Sequence, residues 1–414
     1  HRCGCTTQPA TLFKIYFASL ILMISVREGS SKNTYTELAP SDNEVGSGYF
    51  RWRGEEDTGN WSIFDYKEHG EFPWSVPYQD KALTEILKKT YEVLNSQGIA
   101  TCVTGIEDDK FMVHLARVPG YAGFPLDPMQ IPVGTNNRMV DLEVTFNLVV
   151  HPRSSLYGRW QSGRLDYGPW GFAQTPHLWE VIPIVADGRV LYRYTTKFEK
   201  GGDRPLSEEE ARERSRLTEK QWKQGNNNST RGALAVYNYG KGIGIIVADG
   251  KHEWMVDDEG NVLIADLIGN PYDDRFVVRL TNSVIIAKHI GNYGRELNLP
   301  KDLVHELVDK AMREAKKGIY QDVSKQFQRN LYEDNRWRNE WREKKAPPPT
   351  PIKPVQQATG DMYLSVAQVW TQDRDLSKKV GKEIRDLEDV AAELWVIEEL
   401  NRRGQIPWYY KNAA

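Results

Sequence analysis

The feature that most constrains this chain is a run of period two. Val140, Leu142, Val144, Phe146, Leu148 and Val150 alternate with Asp141, Glu143, Thr145 and Asn147. Successive side chains of a strand point to opposite faces, so the segment reads as a strand with one buried face and one wet face. Trp179 to Val185 and Arg189 to Phe198 flank Ala186-Asp187-Gly188, while Ile243 to Val247 and Glu253 to Val256 flank Ala248-Asp249-Gly250. Asp-Gly between apolar runs predicts a hairpin at each place. Asp257 to Asn261 predicts another turn before Val262 to Leu267, Arg275 to Leu280 reads as a further strand, and Val284 to Ala287 reads as a strand or the start of a helix. Consecutive hairpins without intervening helices imply an α+β fold with a twisted antiparallel sheet, not a doubly wound one.

Helical periodicity brackets this sheet. Leu83, Ile86, Leu87, Tyr91 and Leu94 form one stripe over Asp80 to Gln97, with Gly98 placed to end it. Leu303, Leu307, Ala311, Ala315, Ile319, Val323 and Phe327 mark a long amphipathic helix behind Pro300. Two insertions interrupt the sheet: 152–175, rich in Gly, Trp and Tyr, and 200–230, where Ser207 and Glu210 form a capping box for a solvated helix to Trp222. The expected divisions are an anchor or buried helix over 1–28, an extended arm over 29–79, the main domain over 80–330, a charged helix end with a proline-rich linker over 331–355, and a helical tail over 356–414. The arm carries Trp52, Trp61, Phe64, Phe72 and Trp74 to bury. In the tail, Leu376, Val380, Ile384, Leu387, Ala391 and Leu394 approach a three-four repeat, either seeking a partner or folding back on the sheet. Ala10 to Val26 is apolar but at the lower limit of length for crossing a bilayer, and it contains Lys14.

A net charge of −3 argues against chain-wide attraction to nucleic acid or anionic lipid. Three cysteines, with Cys102 far from Cys3 and Cys5, provide no disulfide framework or zinc spacing. Gly240, Gly242 and Gly244 read as part of a hairpin instead of a phosphate loop, because no helix pattern follows them. His252-Glu253 lacks the second histidine of a helical zinc site, and Asp257, Asp258 and Glu259 read as a polar turn. No catalytic, cofactor-binding or metal-ligating set emerges. The one candidate contact is Arg336, Trp337, Arg338, Trp341 and Arg342, which interleave cations and rings as a partner or lipid contact would, while nearby acids nearly cancel the charge.

Several stretches resemble the mitochondrial acidic matrix protein family, also called the mitochondrial glycoprotein family. They are residues 80–98, HLARVPG at 114–120, MVDLEVTFNLVVHP at 139–152, 175–201, and the closing run from Ile285 to Phe327. The resemblance implies a ring-shaped trimer of sheets flanked by helices, a mitochondrial matrix location and a binding role without catalysis. The balanced charge departs from the family's acidity. Together with the added segments, the resemblance leads to the expectation of a non-catalytic accessory subunit of an inner-membrane respiratory-chain or ATP synthase complex. Its partners would be other subunits or related chains in a homo- or heterotrimer, with inner-membrane lipid contact and no cofactor. The alternative is a matrix scaffold associated with the ribosome or RNA.

Overall fold

The structure, a computed structural model, describes residues 25–27, 32–52, 76–279 except 122, 152–153 and 200–203, then 296–298 and 353–402. Period-two sequence builds two sheets here, not one. The first comprises β1 (Ser25–Arg27), β2 (Lys32–Leu38), β3 (Gly46–Trp52), β4 (Val103–Glu107) and β5 (Lys110–Leu115), in the order β1-β2-β3-β5-β4. Two of these strands lie in the stretch expected to be an extended arm. The second comprises β6 (Arg138–Asn147), β7 (Tyr192–Thr195), β8 (Pro205–Leu206), β9 (Ile245–Val256), β10 (Val262–Ala265), β11 (Arg275–Arg279) and β12 (Glu296–Asn298). Its order is β12-β11-β9-β6-β7-β8, with β10 paired to the far end of β9. Neighbouring strands in both sheets run antiparallel. The sheets meet where Thr101 bridges Ile264 and the Cys102 N–H donates to the Ile264 carbonyl at 2.8 Å.

Helix α1 (Gln79–Ser96) forms as its apolar stripe requires, burying Leu83, Ile86, Leu87 and Leu94. The short helices α2 (Ser155–Gln161) and α3 (Pro183–Ala186) follow β6. Pro183 starts α3 where the first hairpin was expected: its fixed φ suits the first helical turn, and its missing N–H cannot serve a ladder. Helix α4 (Glu208–Ser215) opens with the expected Ser207 and Glu210 capping box. Helix α5 (Glu219–Gly242) runs through the segment read as insertion and glycine-rich turn, opened by a second box of Thr218 and Gln221. Gly240 and Gly242 therefore end a helix, and Gly244, with φ +84°, turns the chain into β9.

The second expected hairpin is also absent. Ile245–Val256 is one continuous strand, and Ala248-Asp249-Gly250 lies in its interior. The glycine serves close approach instead of a turn: a Cβ there would lie 2.1 Å from Asp274 Oδ1 and 2.4 Å from Phe146 Cζ.

One face of the second sheet packs Val140, Leu142, Val144, Trp254, Val256 and Val262 against Ala211, Leu217 and Trp222 of the α4–α5 region. The opposite face, expected to be wet, is covered. Asp141 and Asn147 are buried there, and Glu143 and Thr145 are half-buried. The C-terminal helices α6 (Lys353–Thr371), α7 (Leu376–Val380) and α8 (Leu387–Arg402) join the main core. Trp370 is fully buried against Phe276 and Tyr239 and donates its indole N–H to Thr90 Oγ1 of α1 at 3.1 Å. Among the described residues no helix is long and apolar enough to cross a membrane. The long helix behind Pro300, most of Ala10 to Val26 and the segment Val284 to Ala287 fall outside the described residues.

Candidate functional site

The covered polar face of the second sheet is where charge collects. On β9, Asp249, Lys251 and Glu253 sit two residues apart and share one face. Strand register sets Glu143 of β6 opposite Glu253, and Ala265 of β10 opposite Glu253 on its other side. Asp266 follows β10 directly in a left-handed conformation, φ 65°, which aspartate tolerates better than most residues. Its carbonyl accepts from Tyr91 Oη at 3.2 Å, and its carboxylate from the Leu267 N–H at 2.8 Å, so the turn is held from both sides. Lys197 arrives just past β7, and Lys32 crosses from β2 of the first sheet.

Six of these side chains make up a charged network: Glu143, Lys197, Lys251 and Glu253 are joined by ion pairs, and Lys32 with Asp266 forms a separate pair beside them. Lys197 Nζ lies 2.5 Å from Glu253 Oε1 and 3.7 Å from Glu143 Oε2, and Lys251 Nζ lies 3.1 Å from the same Glu143 oxygen. Lys32 Nζ lies 2.5 Å from Asp266 Oδ1. The side chains retain between 12% and 28% of their exposure, so the network is half-buried and still partly in contact with solvent. Burial by itself would lower the pKa of Lys197, but Glu253, Glu143 and Asp266 outweigh it and hold the ammonium well above the ordinary lysine value. Burial likewise opposes ionisation of Asp266, yet Lys32, Lys197 and Lys251 keep its carboxyl well below the usual range. Lys32, Lys197 and Asp266 are therefore held in their charged forms near neutral pH.

A second cationic group lies at the other end of the same strand face. Arg275 NH1 donates to both Asp249 oxygens at 2.7 and 2.6 Å. Asn147 Nδ2 donates to Asp249 Oδ2 at 3.3 Å and accepts, at Oδ1, from Arg193 Nε at 3.2 Å. Burial lowers the Arg193 pKa to about 10 against the pull of Asp249, with Arg159 and Arg275 adding repulsion. The loop before Arg275 is fixed from within. Asp274 accepts from the N–H groups of Gly269 at 2.6 Å and Lys251 at 3.1 Å, and Asn270 Oδ1 accepts from those of Tyr272 and Asp273, each at 3.0 Å.

Lysines facing carboxylates along a strand, with guanidinium groups beyond them, can neutralise a polyphosphate and a small anion side by side. The donor set also suits a hard divalent cation shared with phosphate oxygens. Among the described residues no three His, Cys, Asp or Glu side chains converge on one point, so such an ion would take only one or two protein oxygens.

The sequence reading missed every one of these residues. His252-Glu253 was dismissed for want of a second histidine, and Asp249 and Lys251 were assigned to a turn and its flank. The detectable signal was the alternation Asp-x-Lys-x-Glu at 249–253 within a strand. His252 itself points to the other face, buried, with Nε2 at 2.6 Å from Ser229 Oγ. Arg336, Trp337, Arg338, Trp341 and Arg342 lie outside the described residues.

The architecture defines an α+β protein with antiparallel sheets and a charged, half-buried sheet face, and comparison with known proteins narrows the class. The sequence profile of the SAICAR synthetase family matches residues 188–293, about a quarter of the chain. A protein of Archaeoglobus fulgidus, provisionally named phosphoribosylaminoimidazole-succinocarboxamide synthase, is 26% identical over 232 residues, which span 52% of this chain and 66% of that one, just short of two thirds. A second protein so named, from Agrobacterium fabrum, is 35% identical over 83 residues, covering 19% of this chain and 25% of its own length. The structure of SAICAR synthase from Saccharomyces cerevisiae complexed with SAICAR has the same fold, with a TM-score of 0.52 at 14% identity, covering 86% of this chain and 97% of that one.

These likenesses overturn the resemblance to the mitochondrial acidic matrix proteins, whose diffuse packing patterns are common to many antiparallel sheets. The ring trimer was drawn from that resemblance and has no support in this two-sheet fold. The non-catalytic accessory subunit of a respiratory-chain or ATP synthase complex, its expected partner subunits, and the ribosome- or RNA-associated alternative are corrected for the same reason: the matching family and relatives are enzymes.

Proposed function

We propose that this chain is an ATP-dependent ligase that joins aspartate to a carboxylated aminoimidazole ribotide as an amide, a product of the succinocarboxamide class for which its relatives are named. The observation that carries this reading is that the profile-matched stretch, residues 188–293, contains Lys197, Lys251, Glu253, Asp266 and Arg275. Five side chains that the fold brings to one charged sheet face thus fall in the stretch that matches the family profile.

The chemistry gives these groups work. A carboxylate does not condense with an amine unless one oxygen can leave. Attack of that oxygen on the terminal phosphorus of ATP expels ADP, and the aspartate nitrogen then displaces phosphate, so the carboxylate oxygen leaves as part of inorganic phosphate. Lys197, Lys251 and Lys32 supply positive charge for the phosphate oxygens. A divalent cation carried by the nucleotide would be held by Glu253 and Asp266 and would neutralise phosphate charge. Arg275 and Arg193 suit the anionic groups of the ribotide or aspartate.

The test supplies the full chain with ATP, magnesium, aspartate and the carboxylated ribotide, and follows ADP together with the amide by mass spectrometry. The expected result is equal yields of amide and ADP, both abolished by omitting either the ribotide or aspartate. ADP release indifferent to the ribotide, with no amide, would overturn the proposal.

A further inference from the structure

Each of the three carboxylates Glu143, Glu253 and Asp266 already holds an ammonium group of the same chain. Lys197 spans Glu253 and Glu143 at 2.5 and 3.7 Å, Lys251 reaches Glu143 at 3.1 Å, and Lys32 reaches Asp266 at 2.5 Å. The influence is shared: Lys32 also feels Glu253, and Lys197 also feels Asp266. Three carboxylates face three ammonium groups, a balanced set. A bare divalent cation entering here would have to expel two ammonium groups that are only 15% and 19% exposed, leaving them without an anion in a poorly solvated setting. It would gain little in return, because no three ligating side chains converge among the described residues.

A polyphosphate removes both obstacles. Its oxygens can take the lysines while its cation takes the carboxylates, so every charge exchanges one partner for another and none is stranded. On the ligase reading given above, we infer that Lys197 and Lys32 are place-holders that close Glu253 and Asp266 to a free divalent cation and yield them only to one that arrives on a polyphosphate. Lys197 is then a specificity-determining residue for the metal-complexed nucleotide over the metal alone. It is also the better probe, because it spans two carboxylates while Lys32 holds one.

The experiment titrates the full chain with Mn2+ and reads free Mn2+ by electron paramagnetic resonance, first alone and then with ATP or inorganic tripolyphosphate present, with protein-free titrations subtracting the Mn2+ that each polyphosphate binds in solution. Wild-type protein is expected to bind Mn2+ alone at least about tenfold more weakly than with either polyphosphate, since the free ion must strand buried ammonium groups. In Lys197→Met, Mn2+ alone should bind about tenfold more tightly than in wild type, because Glu253 loses its ammonium partner, while tripolyphosphate binds more weakly. Lys197→Arg should keep the exclusion. Should Lys197→Met fail to fold, Lys32→Met tests the same relation at Asp266. Equal affinity of wild type for free and complexed Mn2+, or no gain in the methionine variants, would overturn the place-holder while leaving the ligase reading standing. Absence of any metal or nucleotide binding by wild type would overturn both.

Discussion

At the scale of single residues, the second sheet sorts charge by face. Glu253 and His252 are neighbours in sequence, yet one lies in the ion network and the other in a dry core. Among the described residues Glu253 is the carboxylate nearest Lys197, at 2.5 Å. Glu253→Gln keeps the shape and removes the charge, and is expected to lower kcat/KM for ADP release by roughly 10²-fold with the circular-dichroism spectrum unchanged. His252 makes a separate prediction. Ser229 Oγ accepts the Trp254 indole N–H at 2.8 Å and lies 2.6 Å from His252 Nε2, within hydrogen-bond distance. Burial pushes the His252 pKa down to about 3. The unfolded chain, with a histidine near 6.5, binds this proton first, so the stabilisation is complete above that value and is lost as pH falls from about 6.5 towards 3, by about 1.4 kcal/mol per unit. Urea midpoints measured between pH 7 and 5 should fall accordingly, and His252→Gln should flatten that slope. Neither role was legible beforehand, because a sequence gives adjacency and not the face each side chain meets.

At the scale of elements, strong periodicity was readable and close approach was not. Helix α1 was expected over Asp80 to Gln97 and runs Gln79–Ser96, because its apolar stripe is continuous. Helix α5 was missed because Gly225, Asn226, Asn227, Asn228, Ser229 and Gly232 are poor helix formers. Tertiary packing explains them: a Cβ on Gly232 would lie 2.9 Å from Ile264 Cδ1, so small residues let this helix lie close on the sheet. Gly250 was misread in the same way. Its Asp-Gly pair has turn chemistry, but the missing side chain makes room for Asp274 and Phe146. Gly250→Ala should therefore destabilise the fold by about 1–3 kcal/mol through overpacking. Thermal unfolding would show a lower midpoint, and activity should fall with it, because Asp274 must leave the Lys251 N–H that positions the network.

At the scale of the whole molecule, the C-terminal helices are part of the core. Trp370 fills space between α1 and β11, beside Phe276 and Thr90. Trp370→Ala should cost about 3–5 kcal/mol, measured as a shift in the urea midpoint for the entire cooperative transition. Loss of protection confined to α6–α8 in hydrogen exchange would instead make the tail a separate unit. The sequence by itself determined an α+β chain with antiparallel strands, the first helix and the capped helix after Ser207, because periodicity and capping are local properties written in consecutive residues. Only the tertiary structure decided that there are two sheets, that the polar face of Val140 to Val150 is covered, and that Lys32, Glu143, Lys197, Lys251, Glu253 and Asp266 meet in one charged cluster. Ion networks are made by strand register and sheet contact between residues as far apart as 32 and 266, and no local pattern encodes that meeting.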